Sequence, residues 1–295
     1  GMTIREKAGQ LNQLDGRGTI ENLKILIRKG EIGSVMNVTE PEIVNELQEI
    51  AYKQSRTGIP LVFTRDVVHG FKTMLPIPLG QAATFHPKLI QKGARIAAIE
   101  ATEHGVRWSF APMIDISRDA RWGRIAESFG EDTYLTEQMA VAVVNGFQGD
   151  NLSNPQSMAA CAKHFIGYGT VEGGRDYNST HIPERQLRDV YLPPFEKAVK
   201  ANCSSIMTSF NDNDGIPATG NKKLLKGILR KEWKFDGVVV SDWGSVTEMI
   251  KRGFAEDRKD AARKAIEAGL DMDMSSKAFI QNIDCLLYTS DAADE

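Results

Sequence analysis

Three valines run directly into a serine, an aspartate and a tryptophan in the stretch GVVVSDWG, Gly237 to Gly244. Val238, Val239 and Val240 have the β-branched side chains of a buried strand, and a carboxylate at the end of such a strand gains nothing from burial unless a partner or a reaction uses it. Asp242 is therefore either a salt-bridge acceptor or a nucleophile. A carboxylate at the rim of a sheet, near cations, stays ionised and can attack an electrophilic carbon such as the anomeric centre of a sugar. Trp243 beside it offers an apolar face to a sugar ring.

A second candidate group lies in CAKHFIGYG, Cys161 to Gly169, where Lys163 and His164 are adjacent at a strand end. A buried lysine must be paired or must titrate. Lys163 is open to two uses: a Schiff base, as in aldolase-type barrels, or hydrogen bonding to a neutral polyol alongside His164, which can donate or accept. The glycines that follow let the loop turn close to the site. RDARWGRIAESFGED, Arg118 to Asp132, sets arginines and acids around one tryptophan. Such a run is ordinarily a solvated face, but Arg-Trp-Gly-Arg joins a flat stacking surface to rigid donor forks suited to hydroxyls or a carboxylate. Arg124 is the candidate to reach a ligand, whereas Arg121, Glu127 and Asp132 fit an internal ion-pair network. Asp66 ends the run PLVFTRD, as a cap, an ion-pair partner or a binding group, and His69 reads as structural.

Groups so far apart in sequence need a scaffold that brings strand ends together. Short β-rich segments recur: IGSVMNV from Ile32, PLVFTRD from Pro60, QAATF from Gln81, RWSFAPMIDI from Arg107, MAACAKHF from Met158, SSIMTSFN from Ser204, GVVVSDW from Gly237 and GLDMDM from Gly269. Between most of them lie amphipathic stretches such as EIVNELQEIAYKQS, KLIQKGARIAAIEATEHG, TYLTEQMAVAVVNGFQ and RKDAARKAIEAG. Alternating apolar strands and helices predict an α/β fold with a covered parallel sheet, and eight such units predict a (β/α)8, TIM-type barrel. In that barrel the loops after the strands converge on one mouth, where Asp66, Asp115, Lys163, His164, Asn211, Asp242 and Asp273 would gather. An open doubly wound sheet lacks its nucleotide fingerprint here, because GYGTVEGG does not have the required spacing.

The chain has 295 residues, enough for one such barrel. Its 36 basic and 39 acidic residues leave a net charge of −3, which supplies neither a nucleic-acid surface nor a polybasic lipid anchor. Cys161, Cys203 and Cys285 are widely spaced and read as buried thiols, with no disulfide framework or zinc knuckle. No apolar run reaches membrane-span length, and GMTIREKAGQL lacks the order of a signal peptide, so the chain reads as soluble.

Taken in order, KAGQL, DVVHG, PIPLG, APMIDISRDARWGR, ESFGEDTYL, KHFIGYGTVEGGRDYN, LPPFEKAV, IMTSFNDNDGIPAT, LLKGILRKEWKFDGVVVSDWG and AGLDMDM make the chain resemble the N-terminal barrel domain of glycoside hydrolase family 3, in its bacterial β-glucosidase branch. The resemblance implies that Asp242 is the catalytic nucleophile, that Asp66, Arg124, Lys163 and His164 bind the non-reducing sugar, and that Trp243 forms a wall of the site. It implies a retaining β-glycosidase of glucosidase or xylosidase type acting on a β-linked oligosaccharide or aryl glycoside, with no metal and no organic cofactor. The branch that cleaves N-acetylglucosaminides has a second histidine where this chain has Tyr168, which disfavours that branch. In the glucosidase branch the acid/base is a glutamate of a second α/β sandwich domain, so the isolated barrel is expected to be weakly active or inactive. A carbohydrate-binding barrel without turnover and a Schiff-base aldolase are the alternatives. The family suggests a periplasmic or secreted location, with a cytoplasmic one also allowed.

The barrel domain is assigned to residues 1–284, with both the N-terminal end and the last helix expected to be incomplete. Residues 285–295, CLLYTSDAADE, do not resemble the family. Written back into codons, they match a transposase-type sequencing adapter. They are read as a non-native tail that does not continue the preceding helix.

Overall fold

The structure, a computed structural model, describes residues 1–291. Eight parallel strands surround a common axis: β1 (Asn12–Asp15), β2 (Ser34–Met36), β3 (Val62–Arg65), β4 (Trp108–Ser109), β5 (Cys161–Phe165), β6 (Ser205–Thr208), β7 (Val238–Val240) and β8 (Asp273–Met274). One run pairs β8, β1, β2, β3 and β4; a second pairs β5, β6 and β7. Single parallel bridges, Trp108 to Ala159 and Met113 to Lys163 on one side and Val240 to Met272 on the other, join the two runs into a ring. The fold is the expected α/β barrel.

Alternation along the strands divides their side chains between the inside of the ring and the surrounding helices. Met36, Trp108, Phe110, Cys161, Met207, Val240 and Met274 pack together as the barrel interior. Val35 and Phe63 face outward and join the separate cluster formed with Leu23, Ile27, Val44 and Leu47 of the helices Ile20–Arg28 and Pro41–Glu49. Polar pairs fill the remaining interior: Trp108 Nε1 donates to Ser205 Oγ over 2.7 Å and Gln13 Nε2 to Ser34 Oγ over 2.8 Å.

Two strand expectations change. QAATF is not a strand: Gln81 and Ala82 belong to the short helix Pro78–Ala82, which begins with proline at its first turn, where the missing N–H costs nothing. The eighth strand is instead Asn12–Asp15, whose NQLD sequence has no β-branched or aromatic residue. RWSFAPMIDI keeps regular pairing only at Trp108–Ser109, because Pro112 has no ladder donor; beyond it Met113 returns as an isolated bridge.

Helix caps are local and legible. Asp132 accepts from Leu135 N at the start of Thr133–Gln148, and Asp257 from Asp260 N at the start of Arg258–Ala268. The helix Ala278–Asp291 passes through Cys285 without a break, which corrects the expected end of helix there, and it packs against Arg258–Ala268 and Ile4–Gln10. The rest of the expected tail, residues 292–295, lies outside the described residues. Cys161 and Cys203 are buried, but Cys285 is exposed, contrary to the expectation of three buried thiols. Among the described residues, no helix is long and apolar enough to cross a membrane.

Candidate active site

The strands end at a common mouth, and β3, β5 and β7 bring the central groups there. Asp66 follows β3, Lys163 and His164 lie within β5, and Asp242 comes two residues after β7. In a regular strand the adjacent side chains of Lys163 and His164 would point to opposite faces. The register between β5 and β6 shifts between Ala162 and Phe165, and both side chains are buried at the mouth. Gly167 then turns the chain with φ of 87°, and Gly169 lies so close to the segment after β4 that a Cβ there would meet Ile116 O at 2.3 Å.

Lys163 Nζ donates to Asp66 Oδ1 over 2.6 Å. Burial, with the nearby Arg124 charge, pushes the lysine pKa down, but the Asp66 and Asp242 carboxylates together more than offset it, and the net shift is upward. Lys163 is held as an ammonium, which is the opposite of what an amine poised for a Schiff base requires.

Arg124 reaches the same centre from the turn Gly123–Glu127. Its Nε donates to Glu127 Oε1 over 2.8 Å and its Nη2 to Glu127 Oε2 over 3.1 Å, a bidentate grip that fixes the guanidinium plane. The same Nη2 lies 3.3 Å from His164 Nε2, and the guanidinium carbon lies 5.5 Å from the Tyr168 ring centre. The expected network of Arg121, Glu127 and Asp132 does not form as such. Arg121 pairs with Asp119, Glu127 serves Arg124, and Asp132 is a helix cap.

His164 is 1% exposed. Its Nδ1 lies 2.9 Å from Asp115 Oδ2, which also accepts from the His164 backbone N–H over 3.0 Å. Burial, reinforced by the positive charges of Arg124 and Lys163, holds the imidazole pKa well below its ordinary value, so the ring is neutral. Nε2 faces both a donor, Arg124 Nη2, and an acceptor, Asp242 Oδ2, whereas Nδ1 faces only the Asp115 acceptor, so the single ring proton sits on Nδ1 and Nε2 carries the lone pair.

That tautomer decides the state of Asp242. Asp242 Oδ1 accepts from Trp243 N over 2.6 Å, whereas Oδ2 has no hydrogen-bond partner among the described residues. Oδ2 lies 3.3 Å from His164 Nε2, but with the proton on Nδ1 this is a contact between two acceptors. Burial raises the Asp242 pKa to about 6, against the opposing pull of Lys163, the Trp243 N–H and Arg124. Near neutral pH the side chain is an ionised carboxylate with one oxygen left uncommitted.

The remaining expected residues divide by position. Trp243 is half-exposed on the outer wall, with the Arg17 guanidinium 5.9 Å from its ring centre, and lines a separate hollow of about 300 Å³ with Asp15, Thr19 and Ser275. Asp66 lines a hollow of about 330 Å³ with Thr39, His69 and Lys72. His69 itself contacts Leu75 O through Nδ1 at 3.0 Å, in keeping with a structural role. Asn211 and Asp273, expected at the same mouth, are used locally: Asn211 donates to Thr180 Oγ1, and Asp273 caps the turn into the last helix. Asp115 was visible in sequence only as one carboxylate among several near strand ends; nothing marked it as the partner of His164. A larger hollow of about 620 Å³, lined by Lys92, Arg95 and Gly149, opens beside the turn between the helix Thr133–Gln148 and β5, on the opposite side of the barrel from the mouth. Among the described residues, no group of three or more histidine, cysteine, aspartate or glutamate side chains is arranged to hold a metal.

Comparison with known proteins agrees with the barrel fold. The model of the Glycosyl hydrolase family 3 N terminal domain matches residues 3–294. A periplasmic β-glucosidase of Salmonella typhimurium is 40% identical over 280 residues, covering 94% of this chain and 37% of that protein. A putative β-xylosidase of Formosa agariphila is 36% identical, covering 92% of this chain and 39% of its own length. The crystal structure of a Listeria innocua β-glucosidase in complex with glucose superposes with a TM-score of 0.93 at 39% identity, covering 98% of this chain and 43% of that one. The chain thus spans about two fifths of the length of these relatives.

Proposed function

The chain belongs to glycosyl hydrolase family 3, and from that premise we propose that it carries the nucleophilic half of a retaining β-glycosidase of glucosidase or xylosidase type. The substrate class is a terminal, non-reducing β-linked glucose or xylose unit on an oligosaccharide or aryl glycoside. The observation that carries this reading is the buried Asp242 Oδ2, ionised above about pH 6 and bonded to no donor.

In this mechanism Oδ2 bonds to the anomeric carbon while the bond from that carbon to the leaving oxygen breaks. The electron pair departs on the leaving oxygen, which takes a proton from a general acid. Water then attacks the glycosyl ester, its proton passes to the same group now acting as base, and Asp242 is regenerated with the β configuration retained. Asp66 and Lys163 form one pair of polar groups for the sugar hydroxyls, Arg124 and His164 another, and Trp243 a ring-sized apolar surface. We assign the acid/base to a glutamate of a further α/β sandwich domain, a reading supported by relatives more than twice as long as this chain. The name of the Salmonella relative supports a periplasmic location.

A dinitrophenyl β-glucoside tests the proposal, because its leaving group departs without protonation. Rapid mixing with the chain at pH 7 is expected to release a burst of about one equivalent of phenolate per chain, followed by slow turnover. Saturable glucose binding without any burst would replace this reading with that of a carbohydrate-binding barrel.

A further inference from the structure

Asp115 takes no part in the chemistry proposed above, yet it is buried beneath the site. It is 2% exposed, its Oδ2 faces both N–H groups of His164, and its Oδ1 has no hydrogen-bond partner among the described residues. An aspartate so placed is costly to bury unless the two bonds it accepts do something that the fold needs. The geometry points to Asp115 as the positioning residue that locks His164 in its Nδ1–H form, so that Nε2 accepts from Arg124 and Asp242 Oδ2 is left without a donor.

The inference rests on the glycosidase reading only for its consequence; the tautomer is a separate claim. The contacts form a chain in which each bond fixes the next. Burial raises the Asp115 pKa to about 7, but Oδ2 already accepts the His164 backbone N–H, so any carboxyl proton falls on Oδ1; Oδ2 accepts from Nδ1–H in either state, Nε2 is bare, and it accepts from Arg124 Nη2 at 3.3 Å. Glu127 holds the Nε–Nη2 edge of that guanidinium in two bonds, leaving the second Nη2 hydrogen for His164, so the group cannot rotate freely toward Asp242. The opposite tautomer would place an N–H on Nε2, 3.3 Å from Asp242 Oδ2. That hydrogen bond would stabilise the carboxylate and tie up the oxygen that must attack carbon. Asp115 therefore acts on Asp242 through the histidine, and keeps the nucleophile uncommitted.

Two variants separate this role from simple support of the fold. Asp115→Ala removes the acceptor at Nδ1, so the imidazole proton moves to Nε2, where Asp242 Oδ2 accepts it and Arg124 Nη2 loses its lone-pair partner. Asp115→Asn keeps an oxygen that can accept both N–H groups, so the proton stays on Nδ1. Nitrogen-15 NMR of the histidine rings is expected to show His164 as Nδ1–H in the unchanged chain and in the asparagine variant, and as Nε2–H in the alanine variant. A wild-type His164 protonated on Nε2 overturns the proposal, and this readout needs neither substrate nor turnover.

Labelling by an activated 2-fluoro-glucoside reads the consequence. Asp115→Ala is expected to slow it by roughly tenfold to a hundredfold at pH 7, and to lower the midpoint of its pH dependence by about one pH unit. Asp115→Asn is expected to recover most of the rate and the original midpoint. Equal losses in both variants with an unmoved midpoint would mean that Asp115 only supports the fold. Absence of labelling in the unchanged chain, with the tautomers as expected, would reject the glycosidase reading and retain the positioning role.

Discussion

Asp242 and Asp273 end neighbouring regions of the barrel rim, after β7 and within β8, and both are buried aspartates whose pKa burial pushes upward. Their surroundings differ in one respect. Asp273 accepts from Ser276 Oγ over 2.5 Å, Ala278 N over 2.7 Å and Phe279 N over 3.3 Å, so both of its oxygens are engaged in starting the last helix. Among the described residues Asp242 accepts from Trp243 N alone, and its second oxygen faces a histidine lone pair. A carboxylate at a strand end is structural when its lone pairs are filled by its own loop, and available for chemistry when the surroundings withhold donors from one of them.

Substitution should separate the two regions most strongly. Asp242→Asn is expected to reduce glycosylation by an activated glycoside by at least roughly 10⁴-fold, while leaving the fold intact. Because the folded-state pKa of Asp242 is raised to about 6, its contribution to stability is complete below about pH 4 and is lost as pH rises through 6. The asparagine variant should therefore be more stable than the parent at pH 7 by about 1–3 kcal/mol, as measured by urea unfolding. A destabilised Asp242→Asn would erase the distinction between the two aspartates.

The reverse is expected of Asp273→Ala. It leaves the donors of the turn unfilled and should cost about 3 kcal/mol of stability, while the folded fraction still labels at the parental rate. Smaller effects refine the picture. Arg124→Lys replaces a planar fork with a point charge and loses the paired grip on Glu127; labelling should slow by about tenfold. Trp243→Ala removes the exposed ring on the outer wall, and the glycoside concentration for half-maximal labelling should rise about three- to tenfold with little change in the maximal rate.

The same contrast explains what the sequence makes legible. Val238–Val240, Ser205–Thr208 and Cys161–Phe165 read as strands because of their apolar or β-branched residues, all buried except Val238 at the exposed start of its strand, and the polar residues that interrupt or end them mark the mouth. Asn12–Asp15 was missed because its strand is held by pairing to β2 and β8 and by polar contacts inside the ring, which local pattern does not record. QAATF misled because its alanines and phenylalanine are compatible with either state, and the proline before it decides for a helix. Asp66, Arg124, Lys163, His164 and Asp242 were all identifiable as candidates and meet in the structure. Asp115 and Asp273 looked alike in sequence; only the structure shows that the partner of Asp115 is a histidine 49 residues on across the mouth, whereas those of Asp273 are in its own loop at a helix start.

The most direct test of Asp242 as nucleophile is intact-mass spectrometry after incubation with a dinitrophenyl 2-deoxy-2-fluoro-β-glucoside, followed by peptide mapping. The account predicts a single stable fluoroglucosyl adduct on the peptide that contains Asp242, forming faster as pH rises through about 6. An adduct on any other carboxylate, or none on a chain shown by circular dichroism to be folded, would contradict it.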